Sequence, residues 1–213
     1  MILPCIDGDV PFPDVSRALI EPDGLLCFGG DLSIDRLQQA YRLGIFPWYS
    51  AGEPLLWWSP RERMVLKPEL LHISRSLRKA IQQQQPQYHL NRDFNRVITQ
   101  CAQVPRKDQG TWIHPEMIEA YCALFAADQA FCLEVELDGQ LAGGIYGVKT
   151  ETIWCGESMF SSLTNGSKMA MVGLCQLLLD NGLPLLDCQL HNPHLQSMGA
   201  HLISREAFAQ FLP

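Results

Sequence analysis

Two carboxylates and one amide are the side chains best placed to do chemistry in this sequence. Asp187-Cys188-Gln189 lies near the end of an apolar run, Leu185–Leu190. On a strand, side chains at i and i+2 point the same way, so Asp187 and Gln189 should share one surface and Cys188 the other. A carboxylate beside an amide sets an acceptor next to a group that both donates and accepts. Such a pair could hold an amine, take its proton and orient it. A solvated polar strand end would use the same residues. Glu157 sits in Cys155-Gly156-Glu157-Ser158-Met159-Phe160, an otherwise apolar strand. A carboxylate there is paired, at an edge, or part of a site. Ile145, Trp154 and Leu174 could line an apolar pocket beside it.

Aromatic residues form a further feature. Trp48, Trp57, Trp58 and Trp112 are four of the five tryptophans and lie outside the long helical stretches. Exposed tryptophan near a basic face suits stacking on an unpaired base. Trp57 and Trp58 are expected instead to cement two lobes together. The basic face would come from residues 61–107, which hold ten Lys or Arg against three acids. That block carries a net +7 in a chain of net −7, so the remainder is strongly acidic. The block is either a phosphate-contacting face or an ordinary solvated helix surface.

Other chemistries lack their signatures. There is no GxxxxGK phosphate loop, no dinucleotide GxGxxG and no GxSxG elbow. Where acetyl-CoA enzymes carry a glycine-rich pyrophosphate loop, this chain reads Ser162-Leu163-Thr164-Asn165-Gly166-Ser167-Lys168, which disfavours coenzyme A. The eight cysteines show no CxxC, and buried free thiols in a reducing compartment explain them best. Cys188, His191 and His194 could be drawn as a metal site, but no fourth ligand has a recognisable spacing.

The elements that must position these residues are legible in part. Ser33 caps a helix with Ile34, Leu37, Ala40 and Tyr41 on its apolar face, and Gly44 ends it. Ile45–Tyr49 and Trp57–Pro60 read as aromatic loops. Ser74 caps a basic helix; Phe94, Val97, Ile98 and Cys101 mark another; Pro115 opens a third, with Ile118, Tyr121, Cys122 and Phe125 on one face. Asp138-Gly139 between two apolar runs predicts a type I′ hairpin. A strand over 152–160, a helix over 167–179, a strand over 185–190 and a short closing strand and helix follow. The order is α+β, with one crossover between the third and fourth strands, as in the N-acyltransferase fold.

Length and composition fit one core with a small appendage: 213 residues, 47% of them apolar. No apolar run reaches the roughly 18 residues of a membrane span. Met1 to Asp14 holds three aspartates and no basic residue, unlike a secretory signal, so a cytoplasmic protein is expected.

Nine strings run in order across about residues 11–205: Gly24-Leu25-Leu26, Gly29-Gly30-Asp31-Leu32-Ser33, Gly44-Ile45-Phe46-Pro47-Trp48, Trp57-Trp58-Ser59-Pro60-Arg61, Leu71-His72-Ile73-Ser74-Arg75-Ser76, Gly110-Thr111-Trp112-Ile113, Gly143-Gly144-Ile145-Tyr146-Gly147, Gly156-Glu157-Ser158-Met159-Phe160 and Asp187-Cys188-Gln189. As an ordered set they resemble the leucyl/phenylalanyl-tRNA–protein transferase family. The resemblance implies a small N-terminal lobe (1–62) on an N-acyltransferase-like (GNAT-like) catalytic domain (63–213). It implies that Trp48 and Trp112 clasp the donor tRNA's terminal adenine, with Tyr121 in the same donor-binding set. Ile145, Trp154 and Leu174 would form the donor side-chain pocket. Glu157, Asp187 and Gln189 fall on the catalytic and acceptor-binding positions.

The implied reaction moves Leu or Phe, with Met as a further donor, from aminoacyl-tRNA to an N-terminal Arg or Lys and marks the acceptor for degradation. The ester is already activated, so neither cofactor nor metal is expected. The attacking amine has an intrinsic pKa of roughly 7.7–8.0, for which Asp187 acting with Gln189 is an adequate base. Glu157 and Asp187 should also attract the acceptor's cation. Arg61, Arg63, Arg75, Arg78 and Lys79 should grip tRNA phosphates without reading sequence. Asp187→Ala is expected to abolish transfer and spare tRNA binding, and the chain is expected to act as a monomer. A small-molecule N-acyltransferase using acyl-CoA and a non-catalytic RNA-binding module are the competing readings.

Overall fold

A computed structural model describes residues 3–104 and 111–213. The caps that the sequence offers are used. Ser33 accepts from the Arg36 N–H at the start of α1 (Ile34–Arg42), Ser74 from Leu77 at α2 (Arg75–Gln84), and Asp93 from Arg96 at α3 (Phe94–Gln103). Pro115 opens α4 (Pro115–Ala126), which buries Met117, Tyr121 and Leu124; Ile118, Cys122 and Phe125 are only half-buried.

The aromatic stretches expected as loops are strands. β1 (Leu25–Phe28), β2 (Phe46–Pro47) and β3 (Leu56–Trp58) form a small antiparallel sheet in the order β1-β3-β2. Phe46 pairs with Trp58 and Pro47 with Trp57. Strands of two or three residues are too short to show the alternation that identifies a strand from sequence.

The larger sheet has seven strands in the order β10-β4-β9-β8-β7-β6-β5. They are β4 (Glu62–Leu66), β5 (Gln87–Leu90), β6 (Ala130–Leu137), β7 (Gln140–Lys149), β8 (Trp154–Ser161), β9 (Leu186–Asp187) and β10 (His201–Ser204). Asp138 and Gly139 both have positive φ, 48° and 78°, as a type I′ turn requires. Neighbouring strands are antiparallel except β8 and β9, which are parallel and joined by the crossover helix α5 (Gly166–Asp180). This is the α+β, N-acyltransferase-like arrangement. Short helices α6 (Pro193–Ser197) and α7 (Arg205–Ala209) close the chain. β5 and α6 went unread, because neither has an apolar period of its own.

Both faces of the large sheet are covered. Phe131, Leu133 and Val135 of β6 pack with Met169, Leu174 and Leu178 of α5. Their neighbours Ala130 and Cys132 join the opposite cluster, with Phe94, Ile98 and Tyr121. Leu37, Tyr41, Ile45 and Trp57 of the small lobe belong to that same cluster, so lobe and sheet share a core. Among the described residues no helix is long and apolar enough to cross a membrane.

Glycines permit the close approach of α5 to the sheet and of β7 to β8. A Cβ on Gly166 would stand 1.9 Å from the Ala142 carbonyl oxygen, and one on Gly147 would stand 1.9 Å from that of Cys155. Backbone atoms cannot yield as a flexible side chain would. Gly147→Ala and Gly166→Ala should each cost about 2 kcal/mol or more. At about 2–4 °C per kcal/mol, the thermal midpoint should fall by at least about 4 °C. An unchanged melting curve for either variant would show that the backbone opens without cost.

Candidate active site

β8 and β9 pair only at Trp154–Leu186 and Cys155–Asp187. β9 then stops, while β8 runs on to Ser161. The wedge between them opens into a cavity of about 760 Å³, a size that suits a small-molecule moiety. Ile145, Met159, Met171, Leu186 and Leu195 supply apolar wall. Phe46 and Trp48 of the small lobe, and Trp112, line the same cavity, with Glu157 and Gln189 as polar groups.

A local irregularity sets the position of Glu157. In the β7–β8 ladder Tyr146 pairs with Ser158 and Gly147 with Gly156, which leaves Glu157 as the extra residue of a bulge. A bulge frees one residue from the ladder and re-aims its side chain. Glu157 Oε1 accepts from Gln189 Nε2 at 3.0 Å, and Oε2 accepts from the Tyr121 hydroxyl at 3.3 Å. The Tyr121 hydroxyl in turn meets that of Tyr41 at 2.5 Å. Burial pushes the Glu157 carboxyl up to about 7, with the Asp187 charge adding to the rise; the two tyrosine hydroxyls and Arg63 pull it down.

Asp187 does not behave as the strand pattern predicts. The strand ends at Asp187, and Gln189 takes a left-handed backbone, φ 55°. Cys188 and Gln189 both line the cavity and Asp187 does not. Its carboxylate is fully buried and accepts Arg63 Nε at 2.8 Å and Nη2 at 2.7 Å. Oδ1 also accepts the Gln189 backbone N–H at 2.9 Å. This corrects two expectations. Asp187 does not share an open face with Gln189 as a free base. Arg63, at 2% exposure, cannot reach a phosphate. Burial alone would lower the Arg63 pKa; the Asp187 carboxylate more than offsets it, so the guanidinium stays charged.

The remaining expected residues divide. Trp154 and Leu174 are not on the cavity wall: Trp154 stacks on Phe131 at 4.5 Å, and Leu174 lies in the core beneath α5. Met159, the ladder partner of Ile145, and Met171 take that place. Tyr121 is buried behind Glu157 and is not part of the cavity wall. Trp57 is buried in the shared core, as cement would be. Arg75, Arg78 and Lys79 are exposed on α2 and form no ion pair with a described residue. Arg61 is exposed and pairs with Asp23 at 2.7 Å. Arg106 and Lys107 lie outside the described residues. Among the described residues no three His, Cys, Asp or Glu converge as metal ligands would, so Cys188, His191 and His194 form no such set.

The bulged carboxylate and the tryptophan-rimmed wedge lie within the reach of two family profiles. One, described as "Leucyl/phenylalanyl-tRNA protein transferase", matches residues 65–213; its N-terminal-domain counterpart matches 30–61. The chain belongs to the leucyl/phenylalanyl-tRNA protein transferase family. It is therefore a transferase. It is 51% identical to the leucyl/phenylalanyl-tRNA–protein transferase of Nitrosomonas europaea, over 96% of this chain and 87% of that one. The Pseudomonas putida transferase is 49% identical over 94% of this chain and 89% of its own length, and that of Azotobacter vinelandii 48% over 99% and 94%. Among solved structures FemX is similar in fold, with a TM-score of 0.50 at 12% identity, covering 83% of this chain and 70% of that one.

Within this family member, sequence reasoning missed Met159, Met171 and the Arg63–Asp187 pair. A signal for the pair was present: Arg63 directly precedes the apolar run Met64-Val65-Leu66. Counting it with the basic block hid it. Asp187→Ala therefore does more than remove a catalytic candidate, because it strands a buried guanidinium. It should cost about 3–5 kcal/mol of unfolding free energy, read from urea titration. A loss below about 1 kcal/mol would mean that Arg63 finds another partner.

Proposed function

We propose that the wedge holds the aminoacyl end of a charged tRNA and that Glu157, with Gln189, manages the proton in transfer to an acceptor's N-terminus. One observation carries this reading. A carboxyl group hydrogen-bonded to an amide, and pushed up to about 7 by burial, lines a cavity that two tryptophans also line. Trp48 and Trp112 stack on the terminal adenine, and the apolar wall takes the donor side chain. Leu, Phe and Met differ mainly in shape there, so selection among them is loose, while a charged donor loses by desolvation.

The acceptor's α-amine attacks the ester carbonyl carbon. The C–N bond forms as the C–O bond to the ribose breaks, the amine's proton passes to Glu157, and Glu157 returns it to the leaving ribose oxygen. Gln189 donates to Glu157 through Nε2, which leaves its Oε1 to accept from the incoming amine and orient it. Asp187 acts through Gln189. Its charge is neutralised by Arg63, so ionised Glu157 is the carboxylate that draws an acceptor starting with Arg or Lys.

Exposure of Arg75, Arg78 and Lys79 supports their role as phosphate contacts, and Arg61 can exchange Asp23 for a phosphate. The two sheets support a division into a lobe of residues 1–62 and a catalytic domain of 63–213. The free cysteines suit a cytoplasmic enzyme, and the apolar N-terminus it creates would mark the acceptor for degradation.

Labelled Phe-tRNA with an Arg-initiated peptide should yield labelled peptide, and a peptide beginning with Asp should not. Equal labelling of both would end the reading. The pH dependence separates the roles. Glu157 must be ionised to take a proton, so kcat/KM should fall as pH drops through about 7. The amine's own titration adds a second limb at roughly 7.7–8.0. Glu157→Gln should lose about 10²-fold or more in rate and retain only the amine's limb. A two-limbed profile in that variant would assign the lower limb elsewhere.

A further inference from the structure

The Arg63 side chain is held on its edge and on both sides. Its guanidinium edge holds both oxygens of Asp187, at 2.8 and 2.7 Å, and Nη1 donates to the Gly44 carbonyl at 3.0 Å. Its planar faces meet the rings of Phe46 and Phe208, each centred 4.7 Å from Cζ. Phe46 and Gly44 come from the small lobe, and Phe208 from α7 near the C-terminus. At 2% exposure the group is out of reach of a ligand in the cavity.

What this clamp fixes is the turn that carries Gln189. Asp187 Oδ1, oriented by Arg63, accepts the Gln189 N–H. Residue Met64, next to Arg63, grips the same turn from its backbone: it donates to the Gln189 carbonyl at 3.0 Å and accepts from Cys188 N–H at 2.8 Å. Gln189 has a left-handed backbone, which an L side chain adopts only under compulsion. A buried ion pair is weak evidence for stability, since apolar replacements often serve as well. A fixed fork with a bidentate carboxylate is better suited to holding an orientation.

We propose that Arg63 is a positioning residue for transfer, acting through Asp187 to hold the Gln189 turn in register with Glu157. The proposal rests on the reading of the site given above. Lysine keeps the charge but lacks the fork and the planar faces. In Arg63→Lys, kcat should fall at least about tenfold while KM for Phe-tRNA stays within about twofold, because Phe46, the wall residue that Arg63 packs on, stays held in the shared core. Hydrogen exchange over residues 186–192 should quicken, while residues 154–161 keep wild-type protection. Phe208→Leu, which removes one ring far from the cavity wall, should move kcat and exchange the same way by a smaller factor. It also serves if the lysine variant does not fold.

Wild-type kcat in a folded Arg63→Lys protein overturns the proposal. So does a loss that tracks only the unfolded fraction, or unchanged exchange at 186–192. If the wild-type chain transfers nothing, the functional reading falls. The exchange measurement then still decides whether Arg63 fixes the turn.

Discussion

The structure turns on a charge pair sealed from water. Removing a guanidinium and a carboxylate from solvent is costly, and their attraction recovers that cost only with good geometry and every remaining donor and acceptor satisfied. Arg63 and Asp187 come close to those terms. The carboxylate accepts three N–H donors, and the guanidinium has a carbonyl and two aromatic faces besides. The satisfying groups come from three distant parts of the chain: the small lobe, the β4–β9 ladder and the C-terminal helix. The pair thus joins the small lobe, the large sheet and the C-terminal helix at the base of the Gln189 turn.

Two departures from regular sheet then create the site. β9 stops after two residues, so the sheet splits and leaves a wedge. A bulge in β8 releases Glu157 from the ladder beside that wedge. Each would be a flaw in a structural sheet, since each interrupts the regular ladder. Here the Gln189 side chain, freed by the first departure, reaches the carboxyl freed by the second, across 3.0 Å. The gap is closed by side chains rather than by backbone, which leaves room for a substrate.

The sequence disclosed what is locally encoded. Caps at Ser33 and Ser74, the Asp138-Gly139 hairpin and the crossover helix follow from short-range chemistry and were readable. Glu157 was noticed because a carboxylate in an apolar strand demands a reason. What stayed hidden depends on register. A strict period of two put Asp187 beside Gln189, but the strand ends at Asp187, three residues short of Leu190, and the turn is left-handed at Gln189. Trp154 and Leu174 were assigned to the pocket by resemblance, whereas the ladder pairs Ile145 with Met159. Arg63 was counted by its charge, and charge alone does not distinguish a surface cation from a buried one. Its partner lies 124 positions away.

The two carboxylates show why environment, rather than residue type, assigns the proton-handling role. Asp187 faces a fixed cation, and its carboxylate supplies the counter-charge of the buried Arg63 guanidinium. Glu157 faces hydroxyls and an amide, all neutral, in a half-buried position, and its carboxyl rises to about 7. A neutral amine attacking an ester needs a base that is ionised at working pH yet binds a proton readily, and a group titrating near 7 meets both terms. The pair thus divides its labour as carboxylates commonly do when their surroundings differ. In the proposed mechanism one holds a shape and the other exchanges a proton. The Gln189 turn couples them, since its backbone N–H is held by the first and its side chain by the second.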